Sequence, residues 1–440
     1  MDKKLKVVWL CNFSNAFVHE KLDLQHNRLI GLVKRLTHKP VSTDVPEFGN
    51  WITNGIREFE NIDEVELHVV SPYPYLKRKI QAFEANGVYY HFFRSEDQSF
   101  IPFVYKQLFC PMVYPYNGNS RIISKIVRSI NPEIVHLFGA ENPIYSNGLF
   151  QLPDKIVTIA QLQTLLSDPD FKNNYPISGK DYDNRVGIEK RIIREADYVS
   201  TPALKYRKII RNEIYPEAII LNMGLILKDQ IVTETVDKQF DFVYFAININ
   251  KAADLAIEAF ARAHQQKPGI TLDIIGGFEA GYKQYLDDLI AKFGIADAIT
   301  FEGRLPTHDD VLMQIRKAKY ALLPLKIDLT SGTIREAMSN GLPVVTTDTG
   351  EFGTQKLNLK RKNVLISPIG DHQALSDNMI LLLEDDTMAD ELRQNSFMTR
   401  SEVRTNEMTA RRYVEAYKAC LEHHKKGKSM PTELIEDSKS

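Results

Sequence analysis

Two hydrophobic rhythms alternate along this chain. Short runs of β-branched and aromatic residues are separated by longer stretches whose apolar residues return every three to four positions. The first pattern predicts buried strands and the second amphipathic helices. Strands are expected at LKVVWLC (5–11), VELHVVS (65–71), VYYHFF (88–93), EIVHLFG (133–139), KIVTIAQ (155–161) and DYVSTP (197–202). Helices such as RIISKIVRSI (121–130) and VGIEKRIIREA (186–196) lie between them. Across LNMGLILKDQIVTETVDKQF (221–240) the periodicity lapses and the residues turn polar, which predicts a linker.

The alternation then restarts. FDFVYFA (240–246), helix KAADLAIEAFARAHQQ (251–266), ITLDIIGG (270–277), helix YKQYLDDLIAKFG (282–294), AITFEG, helix DDVLMQIRKA, KYALLPL, helix SGTIREAMSNG and LPVVTT follow in turn. Strand–helix alternation on this scale predicts parallel sheets in two successive α/β domains. The expected boundaries are 1–224, a linker at 225–239, a second domain at 240–404, a last helix at 405–424 and a disordered tail at 425–440. A chain of 440 residues is long enough for a full core in each domain.

Charge and cysteine usage narrow the setting. A formal net charge of −2 gives no global basic field for nucleic acid, so no such partner is expected. The 3 cysteines, Cys11, Cys110 and Cys420, have neither metal-ligand nor disulfide spacing, which fits a reducing cytoplasm. The N-terminal apolar run reads as a first strand rather than a signal peptide, and no window is long and apolar enough to span a bilayer. Residues 73–128 are rich in aromatic and basic side chains, a composition suited to peripheral docking on an anionic membrane or to a buried aromatic core.

Neither a GxGxxG dinucleotide fingerprint nor a GxxxxGK[ST] phosphate loop is present. The acidic triplets DPD (168–170) and DYD (181–183) lie in polar surroundings that favour loop or helix-capping roles over metal binding. The most specific stretch is KIDLTSGTIREAMSNGLPVVTTDTG (326–350). It follows a strand, and its loop delivers backbone N–H groups and a helix N-terminus above the sheet edge, where an anion would bind. Ser331, Gly332 and Thr333 are small enough to let phosphate or sugar oxygens approach, and Glu336 could accept from two vicinal hydroxyls. The alternative, with Asp328 and Ser331 as helix caps and Glu336 a solvated carboxylate, stays open on chemistry alone.

The same stretch resembles the Glu-x7-Glu signature of family-4 retaining glycosyltransferases. Asp328 and Glu336 stand at its acidic positions, followed by AMSNGLPVV and TDTG. The resemblance implies a GT-B fold, two facing Rossmann-like domains with parallel sheets and an interdomain cleft, and a C-terminal helix crossing back to the N-domain. It implies a metal-independent, retaining transfer of a sugar from a nucleoside-diphosphate sugar, of UDP or GDP type, to a hydroxyl of a glycan or lipid-linked acceptor. Such a role belongs to surface polysaccharide or glycoconjugate synthesis, in the cytoplasm or at the inner membrane face. The first domain would bind acceptor and the second donor, with no cofactor and no metal.

On this resemblance Glu336 would hold the ribose and Lys251 the phosphates. Asp328, with the backbone of Thr330, Ser331, Gly332 and Thr333, would grip the sugar. Gly49-Asn50-Trp51 replaces the family's Gly-Gly-Trp loop and would close on the diphosphate, while the turn at Gly303, Arg304 and Leu305 would meet the base. HLFGAENP resembles a subgroup's H-x-F-G-T-E-Y-P, making Glu141 a candidate acceptor-binding or acid–base carboxylate. Glu141, Asp328 and Lys251 are thus the candidate catalytic residues. His136, embedded in an apolar strand, reads as a packed or hydrogen-bonded residue.

One departure stands out. Many relatives read G-R-L-x-x-E-K-G where this chain reads FAININKAAD (245–254), so Ala246 replaces an arginine that would clamp phosphate. Arg304 and Arg335 are candidate substitutes. A degenerate member that binds without turnover, or a nucleotide-sugar epimerase or hydrolase on the same fold, are the competing readings.

Overall fold

The computed structural model describes residues 4–25, 35, 45, 47–96, 116–172, 179–226, 231–234, 236–246, 251–326, 331–351 and 353–435. The chain forms two compact units, Met1–Lys228 with Thr405–Ser440, and Asp229–Arg404.

The first unit is built on an eight-stranded sheet. Its strands are β1 (Leu5–Leu10), β2 (Val65–Pro72), β3 (Ile80–Ala85), β4 (Val88–Phe93), β5 (Ile134–Phe138), β6 (Val157–Gln161), β7 (Tyr198–Ser200) and β8 (Ile220–Leu221). They lie in the order β3-β4-β2-β1-β5-β6-β7-β8. All pair in parallel except edge strand β3, which is antiparallel to β4. Central strand β1 has apolar residues on both faces, with Val7, Val8, Trp9 and Leu10 all buried, as a strand covered by helices on each side requires. Helices α1 (Asn50–Phe59), α2 (Asn117–Ile130) and α3 (Lys180–Glu195) return the chain between strands.

In the described part of segment 73–128 the large aromatic residues are mostly buried, whereas Lys77, Arg78, Lys79, Arg121, Lys125 and Arg128 are exposed. Tyr73, Tyr90, Phe92, Phe93 and Tyr116 are buried, as is the apolar face of α2 at Ile122, Ile123, Ile126, Val127 and Ile130. Residues 97–115 lie outside the described residues.

The second unit carries a six-stranded sheet of β9 (Phe240–Phe245), β10 (Leu272–Ile275), β11 (Ile299–Gly303), β12 (Ala318–Leu322), β13 (Val344–Thr347) and β14 (Val364–Ser367). Their order is β11-β10-β9-β12-β13-β14, and every pair is parallel. Helices α4 (Ala253–Gln266), α5 (Ala280–Phe293), α6 (His308–Ile315), α7 (Gly332–Ser339), α8 (His372–Glu384) and α9 (Asp386–Ser401) complete it. Both units are doubly wound, Rossmann-like α/β layers.

Helix α10 (Asn406–Lys426) packs into the first unit. Its buried tyrosines reach polar groups on the central strands. Trp9 Nε1–H donates to the Tyr417 hydroxyl at 2.9 Å, and that hydroxyl lies 2.7 Å from His136 Nδ1. An indole N–H can only donate, so the Tyr417 oxygen accepts from Trp9 and shares a second hydrogen bond with His136 Nδ1. Burial drives the His136 pKa down to about 3. This histidine is thus a packed, hydrogen-bonded member of the core. Tyr413 accepts from the Gln161 amide at 2.9 Å and donates to the Gly224 carbonyl at 2.9 Å.

The expected disorder over 425–440 is corrected for residues up to 435. The helix continues to Lys426, Gly427 caps it, and Met430 and Leu434 are buried. Asn222 N–H donates to Leu434 O at 3.0 Å, and Ile435 bridges Leu221 on edge strand β8. A mostly polar tail is ordered here because a few apolar anchors suffice where the backbone also satisfies a sheet edge.

Candidate functional site

The strand order of the second unit reverses direction between β9 and β12. In open parallel sheets, ligands bind beyond the carboxyl ends of the strands at such a reversal, because the two flanking loops diverge and leave a crevice. The loops leaving β9 and β12 are those that carry Lys251 and Ser331.

Local sequence fixes both loops. Ala246 N–H donates to Ile275 O at 3.1 Å, which ties the end of β9 to β10. Gly276 allows that approach: a Cβ there would lie 2.1 Å from Ala246 O. Chain entry into α4 is held by the Tyr244 hydroxyl, which donates to Lys251 O at 3.1 Å. Ala252, fully buried, takes a left-handed conformation at φ 53°, a geometry that costs a non-glycine residue about 1–2 kcal/mol.

Opposite this entry, Ser331 caps α7. Its Oγ accepts from Ile334 N–H at 3.4 Å, lies 2.8 Å from Thr333 Oγ1, and accepts from Lys251 Nζ at 3.4 Å. The predicted phosphate lysine and the predicted small-residue turn are therefore together. Gly332 begins α7 with open space where a side chain would be. Asp328 and Thr330 lie outside the described residues.

Glu336 stands one turn into α7, and its Oε1 is 3.2 Å from His308 Nε2, with both side chains 22% exposed. His308 is the first residue of α6, whose start is set by a reciprocal capping box between Thr307 and Asp310. The cap is legible in T-H-D-D, but nothing in the sequence points His308 at Glu336. A second unforeseen group is Lys326, which pairs with Asp254 in the first turn of α4 at 2.8 Å.

The expected base-contacting turn follows β11. Gly303 O accepts from Gly276 N–H at 2.8 Å, Arg304 is exposed with its aliphatic stem over Gly277, and Leu305 is half-buried against the core. Arg335, on α7, has a buried Nε–H without a hydrogen bond.

The first unit has its own reversal between β1 and β5. Gly49, at φ 69°, caps α1 against the chain leaving β1, where a Cβ would lie 2.9 Å from Asn12 O. Asn50 begins that helix, which stations both residues at the carboxyl end of β1. Glu141 follows β5 and folds back over Gly139, so a Cβ at Gly139 would lie 2.7 Å from each carboxylate oxygen. Its Oε2 is buried without a partner. Burial raises the Glu141 pKa, opposed by local backbone N–H groups and by Arg185, which donates from Nη1 to Glu141 O at 3.1 Å.

Helix α3 anchors the neighbouring loop after β6. The fully buried Glu189 carboxylate accepts from Leu166 N–H at 2.7 Å, Ser167 N–H at 2.9 Å and Ser167 Oγ–H at 2.7 Å. Burial nevertheless lifts its pKa to about 7. The acidic triplets are occupied nearby. Lys205 Nζ lies 2.7 Å from Asp168 and 2.6 Å from Asp170, while Asp181, in the first turn of α3, pairs with Arg185 at 3.2 Å. Among the described residues, no group of three or more His, Cys, Asp or Glu is placed to hold a metal ion, and no helix is long and apolar enough to cross a membrane.

Residues 228–398 match the family model described as glycosyl transferases group 1. The chain is 30% identical over 112 residues to the glycogen synthase of Mycobacterium tuberculosis, a match spanning 26% of each chain. The described fold is similar to that of sucrose-phosphate synthase from Thermosynechococcus elongatus, with a TM-score of 0.65, 14% identity and coverage of 94% of this chain and 98% of that one. It is also similar to Anabaena HepE, solved in complex with UDP and glucose, with a TM-score of 0.57, 13% identity and coverage of 94% and 100%. At these identities the likeness is one of fold, and that fold is GT-B.

Proposed function

We propose, from the premise that this chain is a group 1 glycosyltransferase, that it moves a sugar from a UDP- or GDP-type donor to a hydroxyl of a glycan or lipid-linked acceptor. The observation that carries the donor site is the Lys251–Ser331 hydrogen bond, which draws the loops after β9 and β12 together at the reversal of the sheet. An ammonium beside a serine-capped helix start suits a phosphate. Glu336, on the same helix, is offered to the ribose hydroxyls, which would displace or share His308.

In the transfer, the bond between the anomeric carbon and the β-phosphate oxygen breaks. The acceptor oxygen bonds that carbon, and the acceptor proton leaves with the diphosphate or a carboxylate. Lys251 would stabilise negative charge on the departing group. Glu141, a carboxylate whose pKa burial raises, is the proposed acceptor or acid–base group of the first unit. The family resemblance supports retention of anomeric configuration, independence from metal and a cytoplasmic setting. HepE, solved with UDP and glucose, favours a UDP-sugar.

The test is a panel of nucleoside diphosphates and their sugars titrated into the intact protein, with Glu336→Ala as comparison. One diphosphate should bind, and the variant should bind it about tenfold or more weakly, as expected for loss of a charge-assisted bond to ribose. Absence of any nucleotide binding, or binding untouched by the substitution, overturns the donor-site assignment. Ala246 favours a second reading, a nucleotide-binding protein without turnover. Binding without hydrolysis or transfer to any acceptor extract would select it, and proton NMR of a transfer product would decide the anomeric outcome.

A further inference from the structure

Ala246 removes a cation from the end of β9, yet the structure provides another from the neighbouring strand. Leu325, just past β12, is clamped by one hydroxyl: its N–H donates to Thr347 Oγ1 at 2.7 Å, and Thr347 Oγ1–H donates to Leu325 O at 2.5 Å. The backbone is therefore fixed up to the next residue, Lys326. The side chain of Lys326 crosses the sheet reversal to Asp254 Oδ2 at 2.8 Å. Asp254 is itself oriented, because the Tyr282 hydroxyl donates to its Oδ1 at 3.1 Å. Lys326 thus reaches the first turn of α4, whose entry Lys251 precedes.

A carboxylate held by a tyrosine fixes one direction of a lysine ammonium. Two N–H donors remain, on a side chain 35% exposed. Lys251 approaches from the β9 loop and Lys326 from the β12 loop, so the two sides of the sheet reversal each offer an ammonium, one for each phosphate of a nucleoside diphosphate. The alternative arginines are placed less well. Arg304 extends over Gly277, beyond β10, and no described contact joins Arg335 to Lys251 or to the entry of α4.

We propose that Lys326, aimed by Asp254, is the second diphosphate-binding cation of this protein and replaces the arginine missing at position 246. This inference rests on the donor-site reading above. It assigns the β-phosphate to a side chain that the sequence pattern left unmarked.

The experiment titrates UDP, GDP and ADP into the intact protein, then the tightest diphosphate and its monophosphate into Lys251→Ala, Lys326→Ala, Lys326→Arg and Asp254→Asn. Lys326→Ala should weaken the diphosphate by about 10–100-fold, the range for one charge-assisted phosphate contact, and the monophosphate by less than threefold. Lys326→Arg should restore most of the loss, and Asp254→Asn should give an intermediate one. A purely structural ion pair would instead give equal losses for both nucleotides, matched by equal falls in melting temperature for Lys326→Ala and Asp254→Asn. That outcome overturns the inference. So does a diphosphate affinity that responds to Lys251→Ala but not to Lys326→Ala, which leaves the donor-site reading standing. Failure of the unaltered protein to bind any diphosphate removes both.

Discussion

Replacing Tyr417 with phenylalanine tests how α10 is fastened to the first unit. The ring stays and one oxygen is lost. Two groups lose their partner: the Trp9 indole N–H and His136 Nδ1, both on residues no more than 1% exposed. Each buried polar atom left unpaired costs about 1–3 kcal/mol, so Tyr417→Phe should destabilise the unit by about 2–6 kcal/mol. That is a large share of the roughly 5–15 kcal/mol that holds an ordinary domain folded. The assay is urea unfolding followed by tryptophan fluorescence. The chain has 2 tryptophans, Trp9 and Trp51, and both lie in the first unit, so the signal reports that unit alone. A midpoint lower by about 1 M urea or more is expected. Tyr413→Phe is the internal comparison. It should cost about 1 kcal/mol, because Gln161 Nε2 keeps its 2.6 Å bond to Gly224 O and neither group is stranded. An unchanged midpoint for Tyr417→Phe, or a larger loss for Tyr413→Phe, refutes the account.

Two further changes separate local causes. Gly276→Ala places a Cβ 2.1 Å from Ala246 O and should lower the melting temperature of the second unit and weaken nucleotide binding, whereas Gly281→Ala, with nothing within 4 Å of its Cβ, should be neutral or stabilising by about 0.5–1 kcal/mol; circular-dichroism melts compare them. Glu189, with a folded pKa near 7 against an ordinary 4.5, binds its proton more tightly in the folded state. Its ionisation therefore removes stability as pH rises from 4.5 to 7, by about 3 kcal/mol in full. The stability of the unaltered protein relative to Glu189→Gln should fall across that window and level off above it; a difference that is flat with pH contradicts the assignment.

Much of the framework was readable because buried parallel strands are continuous apolar runs. β1, β5, β6 and β9 are of that kind, and each falls within a stretch expected from the sequence. β3 was missed because it is an edge strand of mixed polarity, and β8 because two residues carry no period. β14, only four residues long, was likewise not singled out. The tail to residue 435 looked too polar to order, but Leu434 and an exposed sheet edge outweigh its composition. At the candidate site, Lys251, Ser331 and Glu336 were found because a family pattern marks them. His308, Lys326 and Asp254 were not, since each acquires its role from a partner tens of residues away, and no local spacing encodes that. The DPD triplet shows the converse: it has the outward form of a cation site, and Lys205 supplies the cation.

The division of the chain bears on how it is made. The first unit draws on Met1–Lys228 and Thr405–Ser440, so the whole second unit is translated between its two parts. At about 5–20 residues per second, the intervening stretch delays α10 by roughly 10–35 s. During that interval Trp9, His136 and Gln161 lack the tyrosines that later satisfy them. The nascent first unit therefore waits with an open polar–aromatic seam, while the second unit, contiguous in sequence, can finish folding first. Chains truncated after residue 404 and released from the ribosome should show a protease-sensitive first unit and a protected second one, an order of maturation opposite to the order of synthesis.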